Sequence, residues 1–168
     1  RFRRYFDACR ERGFRTCVHA GEEGPADYVR EALSLPVDRI DHGNAAAEDP
    51  ALLRILAERR IPLTMCPISN LRLKVVPDLA AHPLKRMLAQ GLCVTVNSDD
   101  PAYFLGYASD NWAAVCRALR LTRAEILQLA LNGVEASFLS DERKAALRQE
   151  VIAALPAPPD RDPARRGI

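Results

Sequence analysis

One pattern recurs four times in this chain and restricts its fold more than any other: a short apolar run that stops abruptly at polar, chemically capable residues and is followed by a helical pattern. Phe14-Arg15-Thr16-Cys17-Val18 stops at His19-Ala20-Gly21-Glu22, and Arg39-Ile40-Asp41 at His42-Gly43-Asn44. Ile61-Pro62-Leu63-Thr64-Met65 stops at Cys66-Pro67-Ile68-Ser69-Asn70, and the run from Leu92 to Asn97 at Ser98-Asp99-Asp100-Pro101. Each strand-plus-helix unit is roughly 25 to 35 residues, the span of a parallel crossover. Crossovers of one hand bring all four polar stops to the same rim of a sheet. In a closed β/α barrel that rim carries the active site, and a complete barrel has eight units in about 250 residues. Four units in 168 residues therefore predict an α/β fold, the C-terminal half of a (β/α)8 TIM-type barrel.

The flanking segments fit that frame. Phe2, Tyr5, Phe6 and Cys9 share one face of a helix that ends before Gly13, and Arg1 lies directly inside this pattern, which reads as a piece of a longer protein. After the fourth strand the sequence predicts a helix over Asp110–Leu119 bearing Trp112, a second opened by the Thr122–Glu125 capping box, and a third from Ser140 to about Ala154. Residues 1–155 are expected to form one domain. Residues 156–168, with four prolines and no apolar period, are expected to be a disordered tail.

Composition narrows the partners. A net charge of +2, with cations scattered among acids, supplies no basic face for nucleic acid. No segment has the length or flanks of a signal peptide or a membrane span. Five cysteines, an odd number, three of them in apolar strand-like runs, read as reduced buried thiols in the cytoplasm.

Taken singly, each polar stop has an ordinary use. His19 could be a core histidine, Glu22 an acid at a helix start, and Asp99-Asp100 a turn or helix cap. His82, in a loop before Pro83 and away from any strand end, is read as structural. On an extended strand Asp99 and Asp100 would point to opposite sides, so they share one task only if the backbone turns between them. Jointly, His, His, Cys-Pro-x-Ser-Asn and Asp-Asp on successive strands bring imidazole nitrogen and carboxylate oxygen to one rim, the donor set that borderline divalent metals prefer.

At these residues the sequence resembles the metal-dependent adenosine and adenine deaminases of the amidohydrolase superfamily. The carrying motifs are His19-Ala20-Gly21-Glu22, Arg39-Ile40-Asp41-His42-Gly43, Cys66-Pro67-Ile68-Ser69-Asn70 and Ser98-Asp99-Asp100-Pro101, and the likeness continues through Asn132 and Glu135-Ala136-Ser137-Phe138-Leu139. Val96-Asn97-Ser98-Asp99-Asp100-Pro101-Ala102-Tyr103-Phe104, Leu73-Lys74-Val75-Val76 and His82-Pro83-Leu84 are closer to the adenine deaminase branch. The resemblance implies that His19 and Asp99 are ligands of one zinc ion and that His42 orients and deprotonates its water. It implies that Glu22, held protonated, protonates the purine ring, that Gly21 and Asp100 bind substrate, with Asp100 donating to the imidazole-ring nitrogen, and that Ser69 and Asn70 support them from behind. The implied reaction is hydrolytic deamination of adenine to hypoxanthine and ammonia in purine salvage, with adenosine or an N6-modified purine as alternatives. The family's His-x-His pair from the first strand is absent from these 168 residues, which hold only three histidines. The segment is therefore expected to be inactive without the N-terminal half of the barrel, and a non-catalytic half-barrel acting by association is the alternative of another class. Leu105 also stands where the adenine-type enzymes are expected to have glycine.

Overall fold

The computed structural model describes residues 2–155, and the expectation of a disordered tail at 156–168 lies outside the described residues. Four strands, β1 (Cys17–Ala20), β2 (Arg39–His42), β3 (Leu63–Met65) and β4 (Val94–Val96), form one sheet in the order β1-β2-β3-β4, every pair parallel. Sequential order with parallel pairing is what helical crossovers on one side produce. The strands are shorter than the apolar runs that announce them, beginning at Cys17, Leu63 and Val94 rather than at Phe14, Ile61 and Leu92, while β1 and β2 extend through His19 and His42.

Register separates the sheet into two chemically different faces. Arg39 pairs with Cys17, Asp41 with His19 and with Thr64, and Thr64 with Thr95, so these polar side chains share one face. Ile40, Leu63, Met65, Val94 and Val96 occupy the other and are buried among the helices. Cys17 is exposed on the polar face, at the outer strand, and departs from the buried thiol expected of it; Cys66 and Cys93 are buried, and all five cysteines are free. The outer edges of β1 and β4 are where further strands would close a barrel, with the polar face turned to its interior.

The helices begin where their caps dictate. In α3 (Pro50–Arg59) the Asp49 carboxylate accepts from the N–H groups of Ala51 and Leu52, Pro50 stands in the first turn, and Leu52, Leu53 and Leu56 are buried on the inner side. Fully burying leucines such as Leu52 and Leu56 contributes about 1.5–3 kcal/mol each. In α8 (Arg123–Ala136) the Thr122–Glu125 capping box forms in both directions, with Thr122 N–H donating to Glu125 at 2.7 Å and Glu125 N–H to Thr122 at 3.3 Å. The Asn132 amide, buried on α8, donates to the carbonyls of Leu92 (3.4 Å) and Val94 (3.0 Å), pinning the helix to β4. Ser140 caps α9 (Asp141–Ala154) as expected.

The helix carrying Trp112 starts earlier than its sequence pattern indicates. It is α7 (Ala108–Ala118), and Asp110, expected to open it, sits in its first turn and accepts from Tyr107 N–H at 2.8 Å. The remaining helices are α1 (Arg3–Glu11), α2 (Ala26–Leu33), α4 (Pro67–Arg72), α5 (Leu84–Ala89) and α6 (Pro101–Phe104), with 3-10 turns at Asn44–Glu48 and Leu79–Ala81. Two of them, α4 and α6, are short helices that follow β3 and β4 and open at Pro67 and Pro101, in the polar stretches where those strands stop. Among the described residues no helix is long and apolar enough to cross a membrane.

Candidate active site

Because the strands are parallel and in register, their carboxyl ends gather His19, His42, Cys66 and Asp99 on one rim. His19 and His42 stand with ring centroids 5.0 Å apart. His42 Nε2 lies 4.0 Å from Asp99 Oδ2, and its Nδ1 lies 3.2 Å from Glu22 Oε1. The second contact is close but too poorly aligned to count as a hydrogen bond, so Nδ1 has no bonded partner although the side chain is only 2% exposed. One connected cluster thus includes four of the residues singled out by sequence: His19, Glu22, His42 and Asp99.

Backbone conformation aims these groups. His42 and Asp99 both adopt left-handed φ, at 68° and 61°, a region that side-chain-bearing residues occupy at a cost of order 1–2 kcal/mol. At Asp99 this is the turn that separates it from Asp100. Asp99 Oδ2 accepts from Ser69 Oγ at 2.6 Å, and its Oδ1 from Asp100 N–H at 2.9 Å. Asp100 Oδ1 accepts from Ala102 and Tyr103 N–H, both at 3.0 Å, so this residue does serve as a helix cap, for α6. Gly21, with φ +65°, could not carry a side chain: a Cβ there would lie 2.5 Å from Val29 Cγ2.

Burial sets the electrostatics. It pushes the Glu22 carboxyl above the usual range, helped by the neighbouring acids Asp99 and Glu23 and opposed by His19 and the Asn70 amide. It pushes His42 below the ordinary imidazole value, and His19 adds to the effect. The two groups in contact are therefore driven toward a protonated acid and a neutral imidazole rather than an ion pair. Cys66 is pushed up to about 12 by burial and by the surrounding Asp99, Glu22 and Asp41, which keeps it a thiol.

Three residues near the cluster lie within the quoted motifs but receive no catalytic or binding role from the sequence. His82, a loop residue that the sequence marks as structural, is 3% exposed and meets Asn70 Oδ1 through Nε2 at 3.1 Å. Asn44 donates to the same oxygen at 2.7 Å, and Asn70 donates onward to Glu22 Oε1 at 3.2 Å. Asp41 accepts from Thr64 Oγ1 at 2.6 Å and approaches His19 Nδ1 to 3.6 Å. His82-Pro83-Leu84 holds the first, Arg39-Ile40-Asp41-His42-Gly43 the third and the strand stop the second, and none of these stretches reveals what the side chains touch.

The donor set of the cluster suits a zinc-like divalent ion. His42, Cys66 and Asp99 each offer one atom, all within 4.8 Å of one another, and His19 stands beside them. The Cys66 thiol is the poorest of these donors for the reason given above. The third histidine, His82, is not among these donors, because its two ring nitrogens are engaged by Asn70 and Leu84.

Comparison with known proteins agrees with this architecture. The chain is 64% identical over 151 residues to the adenine deaminase of Rhodopseudomonas palustris, an alignment covering 89% of this chain and 44% of that protein. The crystal structure of adenine deaminase from Arthrobacter aurescens superposes with a TM-score of 0.89 at 49% identity, covering 93% of this chain and 48% of that one. A zinc-bound amidohydrolase from Burkholderia ambifaria superposes with a TM-score of 0.84 at 33% identity, covering 92% and 44%. The chain thus spans about half the length of the relatives it matches, and its fold is the C-terminal half of their barrel. The family model described as adenosine deaminase matches residues 1–154, and the chain belongs to the adenosine deaminase family.

Proposed function

We propose that the protein, with both halves of its barrel present, hydrolyses adenine to hypoxanthine and ammonia, a step of purine salvage in the cytoplasm. The observation that carries the reading is the contact between Glu22 and His42, an acid pushed toward its protonated form beside an imidazole pushed toward its neutral form, on the rim of a chain 64% identical to an adenine deaminase.

Residues 1–155 act as the C-terminal half of the barrel domain, and His19 and Asp99 hold one zinc ion together with ligands from the other half. Bound zinc supplies a water whose pKa is lowered enough for hydroxide to exist near neutral pH. Neutral His42 takes up the proton of the attacking water. Protonated Glu22 donates its proton to the ring nitrogen beside the carbon that bears the amine, which removes aromaticity and makes that carbon electrophilic. Water adds, the amine takes the proton held by His42 and leaves as ammonia, and the new hydroxyl gives its proton back to Glu22 as the ring carbon keeps the oxygen. Asp100 turns its second carboxyl oxygen to the imidazole-ring nitrogen of the purine, while Gly21 lets the backbone approach the ligand. Ser69 holds Asp99, and Asn70 holds Glu22, in the orientations these tasks need.

The test is deamination by the two-half protein loaded with zinc, comparing adenine and adenosine by ultraviolet absorbance and ammonia release. Loss of adenine alone is expected. Loss of adenosine instead would overturn the substrate and keep the chemistry, and an N6-modified purine is the next compound to offer. A folded, metal-loaded protein that consumes none of them would leave the non-catalytic half-barrel, acting by association, as the reading that stands.

A further inference from the structure

A chain of four groups runs from the backbone at the start of α5 to the acid at the rim, and its polarity is forced from one end. Leu84 N–H lies 3.2 Å from His82 Nδ1 and can only donate, so Nδ1 must present its lone pair. A neutral imidazole with Nδ1 unprotonated carries its hydrogen on Nε2, which faces Asn70 Oδ1 at 3.1 Å. That hydrogen requires an acceptor and so fixes which end of the Asn70 amide faces inward. With the amide so placed, Asn44 Nδ2 donates to the same oxygen at 2.7 Å. The opposite end of the amide, Asn70 Nδ2, is left to donate to Glu22 Oε1 at 3.2 Å. His82, Asn44 and Asn70 are all buried, so water does not compete for these bonds, and an amide turned the wrong way would leave two donors facing each other. Burial also pushes His82 down to about 4, which keeps it neutral wherever the reaction runs.

We propose that His82 is a positioning residue for Glu22: through the Asn70 amide it makes Oε1 an obligate acceptor and thereby assigns the carboxyl proton to Oε2. The catalytic use of that proton rests on the deaminase reading above, but the hydrogen-bond polarity does not. The oxygen that accepts from the Asn70 amide is the carbonyl-type one, the better acceptor of the two, so the proton lies on the oxygen that the buried network leaves alone. His42 Nδ1, 3.2 Å from the same Oε1, then meets an acceptor rather than a second hydrogen.

The experiment has a spectroscopic arm and a kinetic arm, both on the two-half protein. Long-range proton–nitrogen correlation of 15N-histidine-labelled protein reads the tautomer. His82 is expected with Nε2 protonated and Nδ1 bare, unchanged from pH 6 to 9, whether or not the protein turns over any purine. An Nδ1-protonated His82, or one that titrates in that range, overturns the proposal. In the kinetic arm, His82→Leu is expected to lower kcat roughly 10- to 100-fold, the usual effect of losing such a supporting residue, with KM for adenine and zinc content within twofold of the parent. His82→Gln, whose amide nitrogen can donate from near the position of Nε2, is expected to recover most of the loss. Equal kcat in all three proteins, or a folded Gln variant no better than Leu, overturns the role. If no variant, parent included, acts on any purine, the deaminase reading fails and the tautomer alone decides the network.

Discussion

Ser69 Oγ donates to Asp99 Oδ2 across 2.6 Å, tying the first turn of α4 to the turn that follows β4. Asp99 owes its direction to this bond, to Asp100 N–H and to its own left-handed backbone. Removing the hydroxyl leaves the carboxylate on one tether. Ser69→Ala is expected to weaken zinc binding by the two-half protein by roughly 10- to 100-fold, read by competition against a chromogenic chelator. Unchanged affinity would show that the backbone alone aims Asp99.

Glu22 must carry a proton to act, so activity should fall as pH rises through its raised value, whereas an ordinary carboxyl would already be ionised well below neutrality. Glu22→Gln keeps the shape and the Asn70 contact but has no acid proton to give. The substitution is expected to lower kcat by about 10²- to 10⁴-fold and to abolish the alkaline limb due to Glu22 in the pH–rate profile, at unchanged zinc content. Near-normal turnover by the glutamine variant would sink the acid role.

His82 has a lowered pKa in the folded state, about 4 against an ordinary 6.5. The unfolded chain binds the extra proton first as pH falls, so the burial of neutral His82 supports the fold fully above about 6.5 and its contribution drains away between there and 4. The loss is about 3 kcal/mol across that window, an order-of-magnitude figure from the shift itself. Denaturant midpoints of the parent should therefore drop more steeply from pH 7 to pH 4 than those of His82→Leu. Parallel slopes for the two proteins would rule out this titration as a source of acid sensitivity.

Leu105, at the C-terminus of α6, has φ 60° and a side chain 76% exposed to solvent. It occupies the left-handed conformation that glycine adopts without strain, at the position where the family resemblance anticipates glycine. Its side chain gains little from packing to offset the strain. Leu105→Gly is expected to raise stability by up to about 1 kcal/mol, relief of the left-handed strain less the greater entropy of glycine in the unfolded chain. Thermal unfolding of the two proteins checks this, and a fall in Tm would mean that the exposed leucine is held by contacts elsewhere in the complete barrel.

The match between sequence and structure is closest where a local rule acts. The Thr122–Glu125 box, the Asp49 cap before Pro50 and the Ser140 cap are written in adjacent residues and form as written. Asp110 lies on its helix but not at its start, because Tyr107 one turn earlier uses it as acceptor. Cys17 shows the limit of hydropathy: an apolar run marks a strand but not which face looks toward the rest of a barrel, and Cys17 lies on the polar one. Asp99 and Asp100 divide their work by a backbone torsion that composition does not encode.

What the sequence by itself determined is the alternation of strand and helix and the placing of His19, His42, Cys66-Pro67-Ile68-Ser69-Asn70 and Asp99-Asp100 at strand ends. Parallel crossovers then leave only one rim on which those ends can meet. What only the tertiary structure decided is which of these groups touch. Glu22 meets His42 across the gap between neighbouring strand ends, and His82 enters the site from a loop twelve residues beyond Asn70 because its ring fills a buried space between α5 and that amide. A residue's period along the chain reports the face it occupies. The direction of its hydrogen bonds depends on partners distant in sequence, and only packing brings those partners into reach.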